Sequence, residues 1–569
     1  MKPPPKNFEA IIQDLVYNVD VGIGLKLVKT GLYLLLVLGL VSIYTATQFH
    51  GLNNAQAMDY AQLGRNIAHL GTFQTQVIRP AALHHLTEKK GDSPEWMRNH
   101  PDIVNPPLYP LTLAAGFSLV GDSYPRDQSF KVIPPEQYVI IPLNLLFSLL
   151  TGLFLYFTAK RFFDPRIALI GVSLFFLSDS VWATSITGLP TSLVTFLAIL
   201  MFRFMLIAHE RYAESTTFRH WAFPAAAAAL CAGLAILTRY AAWPLLAGII
   251  LWIAVQFRGP ALPKALALVL AIVAILLAPW IARNLSVSGA PFGMTPKLAN
   301  NDTELLVTRS YERALYPEPA GTAALRNKWL AGLESLYAQP FRTIGDGVLI
   351  GLFFTTFFFR FVRDSIRVMR WTLLLALALL LNISALYTSD DSTLLQIFWP
   401  FVILYGLSFY FILIDRLQIT IPLVRWSVHA ALITATSLPL LFTLLPPRAA
   451  HPYPPYDPAV ISFVSQKLNP DELLCTDIPW ATAWYGNRNS ILLPKEMREF
   501  YDIHDLRRRI SGLYFTTETR DLPFARTLLT GPFRSWWPVF QLRIPGDFPL
   551  KEAVFLYNQD QLFLTDRPR

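Results

Sequence analysis

Ala265-Leu-Ala-Leu-Val-Leu-Ala-Ile-Val-Ala-Ile-Leu-Leu-Ala-Pro-Trp-Ile-Ala-Arg-Asn284 runs for eighteen residues without a charge before Arg283. A helix rising about 1.5 Å per residue needs about 20 apolar residues to cross ~30 Å of hydrocarbon, so this stretch reads as a membrane span. Its end fits an interface, because Trp280 suits the aromatic belt and Arg283 the headgroup level. Similar runs recur along the chain. Of its 569 residues 53% are hydrophobic and 15% charged, and the mean hydropathy is +0.38. A soluble chain of this length needs far more polar surface. The fold class expected is therefore an all-α polytopic membrane protein with a small α/β domain outside the bilayer.

Eleven spans are expected, over residues 28–47, 137–159, 166–183, 190–208, 222–238, 243–257, 265–284, 346–361, 370–388, 395–414 and 426–445. The first follows a polar start with Lys2, Lys6, Lys26 and Lys29 and lacks a small-residue cleavage site, so it reads as retained. With the N-terminus inside, the inner loops 160–166, 209–221, 258–264, 360–370 and 415–425 carry Lys160, Arg161, Arg166, Arg211, Arg219, Arg258, Lys264, Arg360, Arg363, Arg367, Arg370, Arg416 and Arg425. The short outer loops 184–189, 239–242 and 389–394 carry only Arg239. That asymmetry predicts N-in, C-out. It also decides residues 107–120, which are apolar but short; counting them as a span would put Lys160, Arg161 and Arg166 outside, so they read as a helix on the outer surface.

The expected domains are a transmembrane unit over 1–445 and an extracytoplasmic unit over 446–569. Two large outer segments, 48–136 and 285–345, interrupt the first. The tail opens with His451-Pro-Tyr-Pro-Pro-Tyr-Asp-Pro458 and then shows strand-like pieces at 472–475 and 490–493. The net charge of +9 sits in the inner loops, which argues against nucleic acid as a partner. Cys231 lies in a span and Cys475 in the tail, so neither a disulfide nor a cysteine metal site is expected.

Polar residues concentrate just outside the bilayer. Asp59-Tyr60 follows the first span, and a helix from Asp59 to Leu70 places Asp59, Gln62 and Asn66 on one face with Arg65 beside it. Such a carboxylate can deprotonate a hydroxyl or bind a metal; the plain alternative is a solvated loop acid. Asn105-Pro-Pro-Leu-Tyr-Pro110 opens the surface helix, with proline where a missing N–H does no harm. His84, His85, His100 and Asp102 lie upstream without metal-ligand spacing. Arg239 and Arg283 stand at the outer ends of two spans, where each meets an anionic group or simply snorkels.

In order, Asp59-Tyr60, Pro106-Pro-Leu-Tyr109, Gly233-Leu-Ala-Ile-Leu-Thr-Arg239 and Pro279-Trp-Ile-Ala-Arg-Asn284 with Gly289-Ala-Pro-Phe292 resemble the GT-C superfamily of lipid-phosphate-sugar glycosyltransferases. The likeness is greatest to bacterial protein-mannosyltransferase and aminoarabinose-transferase-like members, and covers residues 28–292 best. It implies a polyprenyl- or dolichyl-phosphate-linked sugar donor and an acceptor (protein, lipid or glycan) at the outer face of a bacterial inner membrane. By that likeness Asp59 is the catalytic base, Arg239 and Arg283 meet the donor phosphate, and Tyr60, Arg65, Asn105 and Tyr109 belong to the substrate loops. Relatives often carry a second acid in the next outer loop, where Thr184-Ser-Ile-Thr-Gly-Leu-Pro190 has none, and Asp-x-Asp is absent. No metal is therefore required, although a divalent ion is compatible, and Asp102 or another loop acid is an alternative second carboxylate. Thr476-Asp-Ile-Pro-Trp-Ala-Thr-Ala-Trp-Tyr485 with Arg488 resembles the tail of some relatives and otherwise reads as domain core. A transporter of a lipid-linked substrate and a non-catalytic scaffold are the competing classes; spans clear of midplane charge speak against the former.

Overall fold

In a computed structural model of the chain, residues 23–125, 132–301, 309–338, 345–387, 392–446, 456–516, 518, 531–556 and 561–567 are described. Lys2, Lys6, part of the 389–394 loop and residues 451–455 of the proline-rich stretch lie outside them.

Among the described residues, eight helices are long and apolar enough to cross a bilayer: Gly24–Gln48, Glu136–Phe162, Thr191–Glu214, Phe218–Thr238, Ala261–Ser288, Asp364–Tyr387, Thr393–Leu417 and Pro422–Leu444. The expected third span is a bent pair, Pro165–Phe176 and Asp179–Ser185, with 55° between its halves. The break is stabilised locally, since Trp182 donates its indole N–H to the Phe176 carbonyl at 2.7 Å and Tyr44 donates to Asp179 at 3.0 Å. Two more expected spans are short apolar helices, Tyr240–Gln256 and Gly347–Phe358. Most residues in the apolar stretch of Thr393–Leu417 are buried within the bundle and few in that of Gly24–Gln48, so the first is central and the second presents its leucines to lipid.

The loops expected inside gather at one end of the bundle. Arg161 pairs with Glu210 at 2.8 Å, Arg166 with Asp415 at 3.3 Å, and Arg363 donates to the Phe162 carbonyl at 2.8 Å.

At the other end lie α1 (Ala55–Leu70), α2 (Pro80–Lys90) and α3 (Leu108–Val120). Asn54 caps α1, its side chain accepting from the Gln56 and Ala57 N–H groups, and Gly71 closes it in the left-handed region at φ 67°. α1 packs tightly on α3: a methyl group on Gly64 would sit 2.8 Å from Leu113 Cβ and 3.2 Å from the Pro110 carbonyl. The expected surface helix thus buries Tyr109, Leu113 and Phe117 against α1 and leaves Leu119 and Val120 exposed.

Above these helices is a six-stranded sheet in the order β1-β3-β2-β4-β6-β5: β1 (Val77–Ile78), β2 (Leu473–Thr476), β3 (Ser490–Leu492), β4 (Ile510–Phe515), β5 (Glu552–Leu556) and β6 (Gln561–Thr565). The β1, β3, β2 and β4 contacts are parallel, and β6 pairs antiparallel with β4 and β5. The strand-like pieces at 472–475 and 490–493 are β2 and β3. β1, however, comes from the first outer segment, with Val77 opposite Ser490. The sheet's core also takes in Leu83, Met97 and Leu315, so both outer segments and the tail share one apolar core. Buried Glu136, at the start of a span, accepts from the Trp484 indole at 2.8 Å and the Leu52 N–H at 3.3 Å, joining bundle, first segment and tail.

Candidate active site

The helical face expected on α1 is present and buried. Gln62 donates to Asp59 Oδ1 at 3.1 Å and to Thr75 at 2.7 Å, and Asn66 donates to Gln62 at 3.2 Å. The other oxygen of Asp59 accepts from Arg79 at 2.6 Å and from Asn105 at 2.9 Å. Arg79 immediately precedes α2, and its Nε donates to Glu312 at 2.8 Å. Glu312 belongs to a short helix, Ser310–Arg313, in the second outer segment. One guanidinium therefore stands between carboxylates 253 positions apart in sequence. Burial works against the Arg79 charge, but Asp59, Glu312 and Asp102 outweigh it and raise its pKa.

Asp102 forms the adjoining turn. Its Oδ1 accepts from the Val104 and Asn105 N–H groups at 2.9 and 2.7 Å, and its Oδ2 from the Asn105 amide at 3.0 Å. This local bonding directs the chain into Pro106-Pro107 and α3. Burial, then the like charge of Asp59, raises the Asp102 pKa against the pull of Arg79. The second outer segment docks on the same turn: Met294 N–H donates to the Ile103 carbonyl at 2.8 Å and Thr295 to the Val104 carbonyl at 2.6 Å. Gly293 permits this contact, because a side chain there would collide with the Ile103 carbonyl.

Of these, Asp59, Arg79, Val104, Asn105, Thr295 and Glu312 line a cavity of about 410 Å³. Its polar wall carries Asp59, Asn105, Glu312, Arg79, Arg239, Arg309 and Lys328; its apolar wall includes Tyr240, Trp243, Phe292, Pro296 and Tyr387. Four basic side chains face two carboxylates, so the lining favours an anion. Tyr60 also lines it, and burial raises its phenol pKa although the Arg239 charge pulls the other way.

Asp59, Tyr60, Asn105 and Arg239 are thus brought together. Arg65, Tyr109 and Arg283 are not among the lining residues. Arg65 donates to the Trp484 and Ala483 carbonyls at 2.8 and 2.6 Å and lies over the Trp484 ring, tying α1 to the tail. Tyr109 donates to the Gly188 carbonyl at 2.7 Å and sets its ring edge-on to Tyr60 at 5.4 Å. Arg283 donates to the Asp102 and Phe73 carbonyls at 2.5 and 3.3 Å and stacks on Trp280 at 4.9 Å. Its guanidinium thus holds the Asp102 turn, whereas Arg239 lines the cavity.

Sequence reasoning missed Arg79, Glu312, Arg309 and Lys328. Arg79 offered one signal, a cation directly before Pro80 at a helix start; the other three sit in a segment without motif. The Thr476–Tyr485 stretch is buried, as a domain core is, with Arg488 bonded to the Ser465 and Leu468 carbonyls. Among the described residues no group of three or more His, Cys, Asp or Glu is disposed to hold a metal ion.

Residues 104–282 match the family model described as dolichyl-phosphate-mannose-protein mannosyltransferase. No curated protein sequence matches. Among solved structures, ArnT from Cupriavidus metallidurans, apo and bound to undecaprenyl phosphate, is similar over 95% of this chain and 98% of its own, at 13% identity and a TM-score of 0.55. The oligosaccharyltransferase AglB from Archaeoglobus fulgidus, in complex with an inhibitory peptide and a dolichol-phosphate, is similar over 95% of this chain and 74% of its own, at 11% identity and a TM-score of 0.51. With a helical bundle, outer segments and a small sheet in this arrangement, the chain shares the fold of ArnT, and its residues 104–282 resemble the mannosyltransferase family model.

Proposed function

We propose that this protein transfers a sugar from a polyprenyl- or dolichyl-phosphate donor to an acceptor at the outer face of the membrane, with Asp59 as catalytic base. The observation that carries this reading is the placement of Asp59 and Arg239 on one cavity of about 410 Å³. A carboxylate has about four lone-pair positions. Three described donors reach Asp59, one of them on Oδ1 and two on Oδ2. Oδ1 thus retains capacity for an acceptor O–H or N–H.

In the proposed step the acceptor heteroatom forms a bond to the anomeric carbon, whose bond to the phosphate oxygen breaks. The electron pair leaves with polyprenyl phosphate, and the acceptor proton passes to Asp59. Arg239, with Lys328 and Arg309 on the same lining, stabilises the charge on the leaving phosphate. Asn105 and Arg79 orient Asp59 through their hydrogen bonds, and Tyr60 shapes the pocket. Arg65, Tyr109 and Arg283 act as positioning residues through the contacts described above. No step is assigned to a metal.

The proposed orientation is N-in and C-out in a bacterial inner membrane, with the tail from 446 as an extracytoplasmic unit docked on the outer segments. The basic loops gathered at the end of the bundle remote from the sheet support that orientation.

The test is native mass spectrometry of the detergent-solubilised protein with a panel of polyprenyl-phosphate sugars. Wild type is expected to retain a sugar lipid and Arg239→Ala to weaken retention about tenfold or more, as loss of a charge-assisted contact requires. Arg283→Ala is expected to weaken it less. Equal retention by wild type and Arg239→Ala would remove Arg239 from the donor site.

A further inference from the structure

Next to the site is a second polar cavity, of about 240 Å³, where Asn53, Asn54, Arg309, Tyr456, Trp480 and Glu518 meet. Arg309 lines both cavities. Trp480 is 3% exposed, yet its indole N–H has no hydrogen-bond partner among the described residues. A buried donor left unpaired costs free energy that a ligand oxygen would recover. The Arg309 guanidinium lies over the Trp480 ring at 4.3 Å, and the Arg309 backbone adopts the left-handed region at φ 65°, uncommon for a residue other than glycine.

The lining chemistry is specific. Two amides, a guanidinium, a carboxylate and a phenol offer donors and acceptors together, against an aromatic surface. One cation and one anion balance, so the cavity does not select for phosphate as the larger one does. Planar polar side chains beside aromatic rings match the vicinal hydroxyls and apolar faces of a sugar ring. Position adds to this. Asn54 caps α1 in the second cavity, and Asp59, five residues on, lies in the first. The two positions are ~7.5 Å apart along the helix, a separation one sugar unit can bridge.

We propose that the second cavity is an acceptor subsite that binds a neutral sugar ring, so that the acceptor is a glycan or glycolipid. This rests on the glycosyltransferase reading above.

The test is saturation-transfer NMR and titration of the full-length protein in detergent. The probes are methyl glycosides of mannose, galactose, glucose and N-acetylglucosamine, with inorganic phosphate as the competing anion. At least one glycoside is expected to bind. Trp480→Phe, which keeps a ring under Arg309 and removes the N–H, is expected to weaken it about tenfold, the worth of one buried hydrogen bond. Glu518→Gln, at an exposed position, is expected to weaken it several-fold and keeps the test decisive if Trp480→Phe fails to fold. No glycoside bound by wild type, affinities unchanged in the folded variants, or phosphate binding rather than glycoside binding weakened by Trp480→Phe would each overturn the proposal. Polyprenyl-phosphate retention by the same samples separates the two readings. Glycoside binding without lipid retention in wild type would refute the donor chemistry, whereas lipid retention without glycoside binding would refute only the subsite.

Discussion

Replacing Arg79 by methionine keeps much of the side chain's bulk and removes its charge. Arg79, Asp59 and Glu312 are 5%, 2% and 4% exposed, so neither carboxylate can turn to water for compensation. Removing one partner of a buried ion pair costs about 3–5 kcal/mol. Here two carboxylates are stranded, but Asp59 keeps Gln62 and Asn105, and Glu312 keeps a long contact to Asn301 at 3.4 Å. A total near 4 kcal/mol follows, or about three decades in the local opening equilibrium at 1.4 kcal/mol per decade. Hydrogen exchange read by mass spectrometry reports this locally, at Val77–Ile78 and at Ser310–Arg313. Glu312→Gln supplies the decisive sign. In wild type it removes an ion pair and destabilises; in Arg79→Met it removes a stranded charge and stabilises, a coupling of at least about 1.5 kcal/mol. Exchange in Arg79→Met within threefold of wild type, or equal destabilisation by Glu312→Gln in both backgrounds, would refute the reasoning.

Acid sensitivity should trace in part to His100, which is buried, donates Nδ1–H to the Trp96 carbonyl at 2.9 Å, and has its pKa pushed down to about 4 by that burial. Its contribution is complete above the unfolded value near 6.5 and is lost as pH falls toward 4, roughly 3 kcal/mol in all. Asp102 works in the opposite sense, because a raised carboxyl pKa adds stability as pH falls. The difference between wild type and His100→Gln in pH-dependent unfolding therefore isolates the histidine, and a constant difference from pH 7 to 4 would contradict its role. Gly64→Val would overpack the α1–α3 contact, where a Cβ meets Leu113 at 2.8 Å and Phe117 at 3.3 Å, and should cost about 2–3 kcal/mol with faster exchange in Leu108–Val120.

How much of this was legible in the sequence depended on whether a feature is carried by one segment or by several. Spans such as 190–208 and 395–414 announce themselves, since apolar length is local and the bilayer sets the requirement. The bend between Phe176 and Asp179 is less visible, because it depends on Trp182 and Tyr44 finding partners in three dimensions. Asp59, Gln62 and Asn66 could be placed on one face by helical spacing alone. Arg79 and Glu312 could not be joined, as 233 residues separate them and neither sits in a motif. Arg283 was legible in part: its depth was readable, but the rotation that aims it at the Asp102 carbonyl is set by stacking on Trp280 and Phe73. β1 escaped because two residues, Val77 and Ile78, become a strand only when the tail supplies β3.

The central claim is that Asp59 takes the acceptor proton, and its most direct test is transfer by Asp59→Asn. Membranes containing the wild-type or variant protein would be given labelled polyprenyl-phosphate sugar, and label leaving the lipid fraction followed under single-turnover conditions. The asparagine preserves shape, Arg79 keeps its buried ion pair with Glu312, and the contacts from Gln62 and Asn105 can rearrange, so insertion and donor retention should persist. Transfer is expected to fall by about 10²–10⁴, the contribution of a positioned general base. Turnover by Asp59→Asn within twofold of wild type, in membranes holding equal amounts of folded protein, would contradict the account.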